Sequence, residues 1–195
     1  MVRKKKPEKY KSIIDAAVKV FAREGFHNAK IQDIAKEAGI AHGTVYIYFD
    51  SKDALLISVF EEKLGELIDY VKSEIEKIES PEEKIRRLIS LQVEIMKENP
   101  NLTELMLVEF PQTGRFLDCS AMDRVGEYIE LITDILKQGV SKGIFDSDID
   151  SDMLATIIYA GIYGLATRWI LEKRDSPAKE MVDGIANMFL NGIKS

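Results

Sequence analysis

Apolar residues recur along this chain with the spacing of one face of an α-helix. The pattern first repeats between Pro7 and Glu24, and Gly25 then provides a C-terminal cap. Two shorter periodic segments follow, 31–38 and 42–49, with only the turn Gly39-Ile40-Ala41 between them. The pattern therefore predicts three short helices within the first fifty residues.

Longer helices are predicted over the rest of the chain. Ser51 can cap a helix whose apolar face persists for more than six turns, to Ile78, and Ser80-Pro81-Glu82-Glu83 has the residues of a helix N-terminus. That helix should end at Asn99-Pro100. Four more are expected at about 102–110, at 125–143, from 150 or 151 onward, and from 176 onward, with a loop over 111–118. No strand alternation is present, so we predict an all-α protein of about nine helices.

Charge is unevenly distributed between the two ends of the chain. The formal net charge is -6, but residues 1–52 carry a net charge of +5 and residues 53–195 a net charge of -11. A basic N-terminal segment on an acidic body is typical of a nucleic-acid contact, although a solvated lysine-rich tail gives the same count. The charge alone leaves both interpretations open.

The composition is that of a globular protein without an obvious cofactor or metal site. The chain has 195 residues, 46% of them hydrophobic, and no uninterrupted run of the ~20 apolar residues that a membrane span needs. A single cysteine, Cys119, excludes an internal disulfide, and two histidines are too few for a zinc cluster. We expect a cytoplasmic protein with no catalytic residues, no metal and no cofactor.

The helices on either side of Gly39 have the dimensions of a helix-turn-helix, in which the second helix lies in the DNA major groove. A recognition helix starting near His42 would present Gly43, Thr44, Val45, Tyr46 and Tyr48 to the duplex. Hydroxyls and ammonium groups bind phosphates, whereas His42 and Gln32 can reach base edges. The basic arm 3–6 can enter an adjacent minor groove.

At this point the sequence resembles the TetR family of bacterial repressors. Residues 31–56, IQDIAKEAGIAHGTVYIYFDSKDALL, contain its Ile-Ala pair, Ala-Gly turn, Gly-Thr-x-Tyr-x-Tyr-Phe and Ser-Lys-Asp in the expected order, and the likeness extends over about 9–60. It implies a DNA-binding domain over 1–52 and a helical ligand-binding and dimerisation domain over 53–195. The resemblance assigns Thr44, Tyr46, Tyr48 and Lys52 to phosphates and Gln32, His42 and Gly43 to bases.

Two departures from that pattern concern helix caps. Ala29, Lys30 and Ala41 stand where the family usually has Thr or Ser, and the loss of a cap typically costs about 1 kcal/mol. Lys30 can restore a phosphate contact through its charge. For Tyr46 and Tyr48, the alternative is that at least one ring packs against the first helix.

Residues 155–166 form a segment that is apolar on nearly every side, so both of its faces must be covered. Its small residues suit the close approach of a helix from a second subunit, with the last helix as companion in a two-fold contact. The alternative is a central helix buried within one chain. The predicted dimer residues are Ala160, Gly161, Gly164, Met181, Ile185, Met188 and Phe189.

The resemblance to the TetR family implies that a small molecule binds among the central helices and changes the spacing of the two recognition helices. Methionine suits irregular apolar cavities, so we expect an apolar or amphipathic effector. The first sixty residues are most similar to TetR-type repressors of fatty-acid degradation, which implies a long-chain acyl-CoA. The candidate ligand residues are Met96, Met106, Phe110, Arg115, Phe116, Arg124, Tyr128, Tyr163 and Trp169.

Three classes of protein remain open on the sequence alone. A ligand-responsive repressor, which we favour, binds palindromic operator DNA as a homodimer and releases it on binding the effector. A helical dimer that binds small molecules but not operator DNA is the alternative. An all-α enzyme would require a perturbed acid or base in its cavity.

Overall fold

A computed structural model of the chain describes residues 6–112, 121–172 and 179–193. These residues form nine helices, here α1 to α9 in chain order, which confirms the all-α prediction within the part described. Their bounds are Pro7–Glu24 (α1), Ile31–Glu37 (α2), His42–Tyr48 (α3), Lys52–Ile75 (α4), Pro81–Glu98 (α5), 100–112 (α6), Ala121–Ser141 (α7), Ser151–Leu171 (α8) and Lys179–Asn191 (α9).

The helix ends follow the caps expected from the sequence. Gly25 ends α1 with φ 74°, a backbone conformation that side-chain-bearing residues rarely adopt. The Ser51 hydroxyl accepts a hydrogen bond from the Ala54 amide at 3.0 Å, and the Ser80 hydroxyl accepts one from the Glu83 amide at 3.4 Å. Asp150 caps α8 by accepting from the amides of Asp152 and Met153.

Helix α6 differs from the prediction at both its end and its interior. It continues through Gln112, whereas the sequence predicted a loop from Pro111 onward. The five residues Leu105–Glu109 form a π-helical segment, and the Phe110 amide donates to the Leu105 carbonyl, five residues earlier. Proline lacks an amide hydrogen and normally interrupts the series of backbone hydrogen bonds along a helix. Here the π-helical segment has already shifted that series by one residue, so the helix continues through Pro111.

The chain divides into two compact units, Met1–Leu64 with Asn101–Met122, and Gly65–Pro100 with Asp123–Ser195. Helix α4 contributes residues to both. The predicted functional boundary between 52 and 53 is a different division and stays a prediction.

The first unit has a core of fully buried apolar residues from α1 to α4, including Ile13, Phe21, Ile34 and Leu55. Two contacts fix its helices to one another. The Lys63 ammonium lies 3.1 Å from the Asp15 carboxylate, and the Tyr10 and Phe49 rings are 5.2 Å apart. These contacts join α1 to α4 and to the residue that follows α3.

The second unit has its core between α5, α7 and α8, with Ile85, Leu88, Ile132, Leu136 and Ile158 fully buried. The sequence predicted no membrane-length segment, yet α8 is, among the described residues, the one helix long and apolar enough to cross a membrane by length and composition. Of the most apolar 18-residue stretch of this helix, only 22% is buried within the chain. A helix covered by a second subunit has the same composition.

Candidate nucleic-acid interface and effector site

Helix α3 presents one face to solvent and buries the other. His42, Gly43 and Tyr46 are exposed, and the Tyr46 ring meets the His42 ring edge-on at 5.3 Å between centroids. Val45 is wholly buried, so its predicted place on the DNA surface is wrong: its side chain anchors the helix in the core. Ile47, 43% exposed, lies on the solvent side, and sequence reasoning missed it because an apolar residue suggested core.

Tyr48 closes the far end of α3 against the start of α1. Its hydroxyl accepts a hydrogen bond from the Lys6 amide at 3.0 Å and donates to the Lys6 carbonyl at 3.4 Å. The hydroxyl predicted to bind a phosphate thus has partners within the chain. Most of the predicted basic arm, residues 3–5, lies outside the described residues.

Lys52 has a different set of partners from the predicted phosphates. Its ammonium donates to the carbonyls of Phe26 at 2.7 Å, His27 at 3.0 Å and Ala29 at 3.0 Å. The same nitrogen lies 4.6 Å from the centroid of the Phe26 ring. All of these acceptors belong to the loop between α1 and α2.

The other predicted DNA residues lie at or near the surface. Lys30 and Gln32 are exposed at the start of α2, and Thr44 is half-buried. The Lys30 side chain makes no hydrogen bond or ion pair with the described part of the chain. Neither Lys30 before α2 nor Ala41 before α3 forms a side-chain cap, which confirms the absence of caps inferred from the sequence.

A buried polar cluster lies in the second unit, where the sequence predicted a ligand site. The Tyr128 hydroxyl and both amide atoms of Gln92 are buried without a hydrogen-bond partner. The Tyr159 ring lies 6.2 Å from the Tyr128 ring and 4.3 Å from the Tyr163 ring. The Gln92 amide is close enough to the Tyr163 hydroxyl to oppose the rise in its pKa, although no hydrogen bond of good geometry joins them, so the cluster connects α5, α7 and α8 and contains two predicted ligand residues, Tyr128 and Tyr163.

Burial raises the pKa of each tyrosine in this cluster. The pKa of Tyr159 is raised to about 12, and the pKa values of Tyr128 and Tyr163 are also raised, in each case mainly because burial disfavours the phenolate. The cluster is therefore uncharged at neutral pH. Neutral hydroxyl and amide groups can both donate and accept hydrogen bonds, which suits a neutral polar group on a ligand.

Sequence reasoning missed Gln92 and Tyr159, although Gln92 carries a readable signal. It follows Ile85, Leu88 and Ile89 at helical spacing, so a polar amide occupies a position of the apolar face of α5. Buried polar groups normally have hydrogen-bond partners, so a polar residue on the apolar face of a helix indicates a position that needs a partner.

The remaining ligand candidates are distributed over both units. In the first unit, Phe110 is wholly buried and stacks on Phe60 at 4.4 Å, and Met106 is half-buried within the π-helical segment. In the second, Met96 and Trp169 are half-buried, whereas exposed Arg124 pairs with Glu127 at 2.7 Å. Arg115 and Phe116 lie outside the described residues. Because π-helical turns occur frequently at functional sites, Met106 keeps its place among the candidates.

Two open grooves on the second unit, one between α4, α5 and α7 and the other between α5 and α9, contain none of the predicted ligand residues. Within the described residues, no group of three or more His, Cys, Asp and Glu side chains could hold a metal ion.

The predicted dimer residues lie on or beside an exposed apolar stripe of α8. Ala160 and Gly164 are exposed, as are the larger residues Met153, Ile157 and Leu171 of the same helix. Gly161 is instead half-buried, because a Cβ there would lie 3.4 Å from the Phe189 ring of the same chain. On α9, Met188 is 66% exposed, Ile185 and Phe189 are half-buried, and the Met181 side chain lies outside the described residues.

In the first unit, the helix pair α2–α3 has a short turn between its members, and α3 presents one face to solvent. This pair, followed by a helical body, defines the class of helix-turn-helix transcriptional regulators. Residues 13–59 match the family model of bacterial regulatory proteins of the tetR family, and residues 60–192 match the C-terminal region of YsiA-like proteins. The chain therefore belongs to the TetR family of bacterial transcriptional regulators.

Relatives within this family extend over almost the whole chain. The fatty acid metabolism regulator protein of Bacillus subtilis is 30% identical over 97% of this chain and 98% of its own length. The fatty acid degradation regulator FadR of Bacillus halodurans is 30% identical over 96% and 97% of the two chains, with a TM-score of 0.86. FadR of Bacillus subtilis, solved in complex with stearoyl-CoA, is 29% identical over 94% and 99%, also with a TM-score of 0.86.

Proposed function

We propose that this regulator is a cytoplasmic, homodimeric repressor that binds a palindromic operator and releases it on binding an amphipathic effector of the long-chain acyl-CoA type. The observation that carries the DNA-binding part is the two-sided α3. Val45 fixes the helix in the core, so that His42, Gly43 and Tyr46 stand in solvent on a rigid support.

The exposed face of α3 suits close approach to a duplex. Gly43 has open space around it and lets the helix backbone come near the major groove, while the Tyr46 hydroxyl can donate to a phosphate. At the start of α2, Lys30 offers an ammonium to the backbone and Gln32 an amide to base edges. Residues 1–52 thus provide the proposed DNA contacts.

Two such surfaces are needed to bind an operator with two half-sites, and α8 provides the means. Its apolar stripe, with Ala160 and Gly164 between Met153, Ile157 and Leu171, is left exposed by the described residues. A second copy of α8 can approach closely at the small residues and bury the large ones. The dimer would present its recognition helices to successive major grooves, ~34 Å apart.

The proposed effector must satisfy the polar cluster in the second unit. A long-chain acyl-CoA combines a long apolar chain with neutral carbonyl and amide groups, and the relative from Bacillus subtilis was solved with stearoyl-CoA. Unpartnered Gln92 and Tyr128 can hydrogen-bond to such a neutral group, which would compensate the cost of their burial.

The operator can be identified by selecting duplexes from a random DNA pool with the purified protein. We expect enrichment of a short palindrome, bound with steep salt dependence and released by stearoyl-CoA. Tyr46→Ala should lose most of this affinity. A helical dimer without operator binding would enrich no duplex, and that result would refute the proposal.

The effector site is tested by replacing Gln92 with leucine. Replacing a buried amide that makes no hydrogen bond of good geometry should raise the free energy of unfolding of the ligand-free protein, by about 1 kcal/mol, while weakening stearoyl-CoA binding. Denaturant unfolding and calorimetric titration measure the two effects. Gln138→Leu is the matched control, since Gln138 has a partner in Lys84 at 3.2 Å and should leave stearoyl-CoA affinity unchanged. Wild-type affinity in Gln92→Leu would exclude the cluster from the effector site.

A further inference from the structure

We propose that Lys52 is a positioning residue for DNA binding: an internal cation that fixes the loop between α1 and α2, in place of the phosphate contact that the family pattern suggests. A lysine ammonium has three hydrogens to donate. Here three carbonyl oxygens, of Phe26, His27 and Ala29, lie within 2.7–3.0 Å of the nitrogen. The ammonium has no hydrogen left for a DNA phosphate.

Two of the three carbonyls belong to buried residues, Phe26 and Ala29, and their bonds to the ammonium are partly buried. Phe26 and Ala29 are only 5% and 3% exposed, so water has little access to take the place of the ammonium as donor. The Phe26 ring, which also packs edge-on against Phe21 of α1, adds a cation–π contact to the same nitrogen.

The location of the loop connects this contact to the DNA-binding surface. Ala29 immediately precedes Lys30, the N-cap of α2, and that cap has no side-chain hydrogen bond of its own. Lys52 is the first residue of α4. One side chain therefore joins the beginning of α4 to the loop residues that precede α2. If it is removed, α2 and the following α3 should lose their fixed orientation, while the phosphate-binding groups themselves stay present.

Lys30 provides a matched comparison in the same unit. Its side chain is exposed and makes no hydrogen bond or ion pair with the described residues, as a lysine available to phosphate should be. Replacing each lysine by methionine removes the charge and keeps most of the apolar stem.

The test measures the binding of Lys52→Met and Lys30→Met to two duplexes over a range of salt concentrations. One duplex is the sequence enriched by the wild type from a random pool, and the other has the same length and a scrambled sequence. For Lys30→Met, we expect a smaller salt slope on both, by about 0.9 for each phosphate that the variant no longer neutralises. For Lys52→Met, we expect a wild-type slope and affinity on the scrambled duplex, and a loss of preference for the selected duplex of at least about tenfold.

A smaller slope for Lys52→Met on both duplexes, with its preference retained, would overturn the proposal. A general loss of stability would weaken both duplexes alike, so the selective loss separates positioning from a merely structural role. This part of the test rests on the proposed operator binding.

A second measurement uses the wild-type protein and so does not depend on the folding of a variant. Lysine acetylation by a small reagent, followed by mass spectrometry, reports how available each ammonium is. In the free protein, Lys52 should react much more slowly than Lys30, and adding DNA should not change its rate. Acetylation of Lys52 at the rate of Lys30, with protection by DNA, would show that the ammonium is free for phosphate and would refute the inference. The rate in the free protein is informative even if no operator is found.

Discussion

At the scale of single residues, Gly43 shows a difference between what the stability of the free protein favours and what the proposed binding to DNA favours. An added Cβ would meet no atom within 4 Å, and the residue lies inside α3, where glycine is less favourable than alanine. Folding alone therefore gives no reason for a glycine at this position. The proposed close approach of DNA to α3 does.

The expected effect of Gly43→Ala has opposite signs on stability and on binding. The free energy of unfolding should rise by up to about 1 kcal/mol, because alanine is the better helix former. Affinity for the selected duplex should fall, because the methyl group enters the space needed by the groove. Thermal unfolding and fluorescence anisotropy measure the two quantities. Unchanged affinity would show that the first turn of α3 does not lie against the duplex.

At the scale of elements, α3 shows why helical periodicity alone misassigned one residue. Helix α3 has seven residues and buries one of them, and three candidates with large apolar or aromatic side chains, Val45, Ile47 and Tyr48, are close in sequence. Tertiary packing, including that of α2 on α3, buries Val45 and leaves Ile47 exposed. The sequence contained the helix but not its orientation about its own axis.

A pair of substitutions tests this orientation. Val45→Ala should lower the free energy of unfolding by about 1–3 kcal/mol, because it removes buried methyl groups. Tyr46→Ala should change it by less than about 0.5 kcal/mol, because the side chain is 49% exposed, yet abolish most operator affinity. Chemical denaturation and gel-shift titration distinguish the two variants. If Val45→Ala lost DNA binding without loss of stability, the helix would have to be rotated.

Helix α6 shows that a proline does not always end a helix. Pro111 correctly marks a discontinuity, but the discontinuity takes the form of a π-helical segment within a continuing helix. Whether a proline ends a helix depends on the hydrogen-bond register of the preceding turn, and that register is set by the surrounding packing.

At the scale of the whole molecule, the uncovered stripe of α8 predicts how the chain associates. Gly164 has no atom within 4 Å of an added Cβ, so a larger side chain should be accommodated by the single chain. In the proposed dimer, a charge at this position would be buried against the partner.

We therefore expect Gly164→Glu to be folded but monomeric at micromolar concentration, with its affinity for the palindromic duplex reduced along with the dimer. Gly126→Glu is the matched control, because Gly126 is also an exposed glycine within a helix with open space around it. The control should sediment as the wild type does. A dimeric Gly164→Glu in sedimentation equilibrium would place the subunit interface elsewhere.

The sequence by itself determined the helices, most of their caps and the membership of the chain in its family. These features depend on local order: apolar spacing, capping residues such as Ser80 and Asp150, and the contiguous motif 31–56. Each can be recognised from neighbours along the chain, without knowledge of what packs against what.

Only the tertiary structure decided which groups are available for binding. Lys52 and Tyr48 match phosphate-binding positions, but their polar atoms are bonded to a loop and a helix start that are distant in sequence. Gln92 and Tyr128 are brought together with Tyr159 and Tyr163 from three different helices. The partners of a polar group are set by long-range packing, which residue type and spacing do not specify.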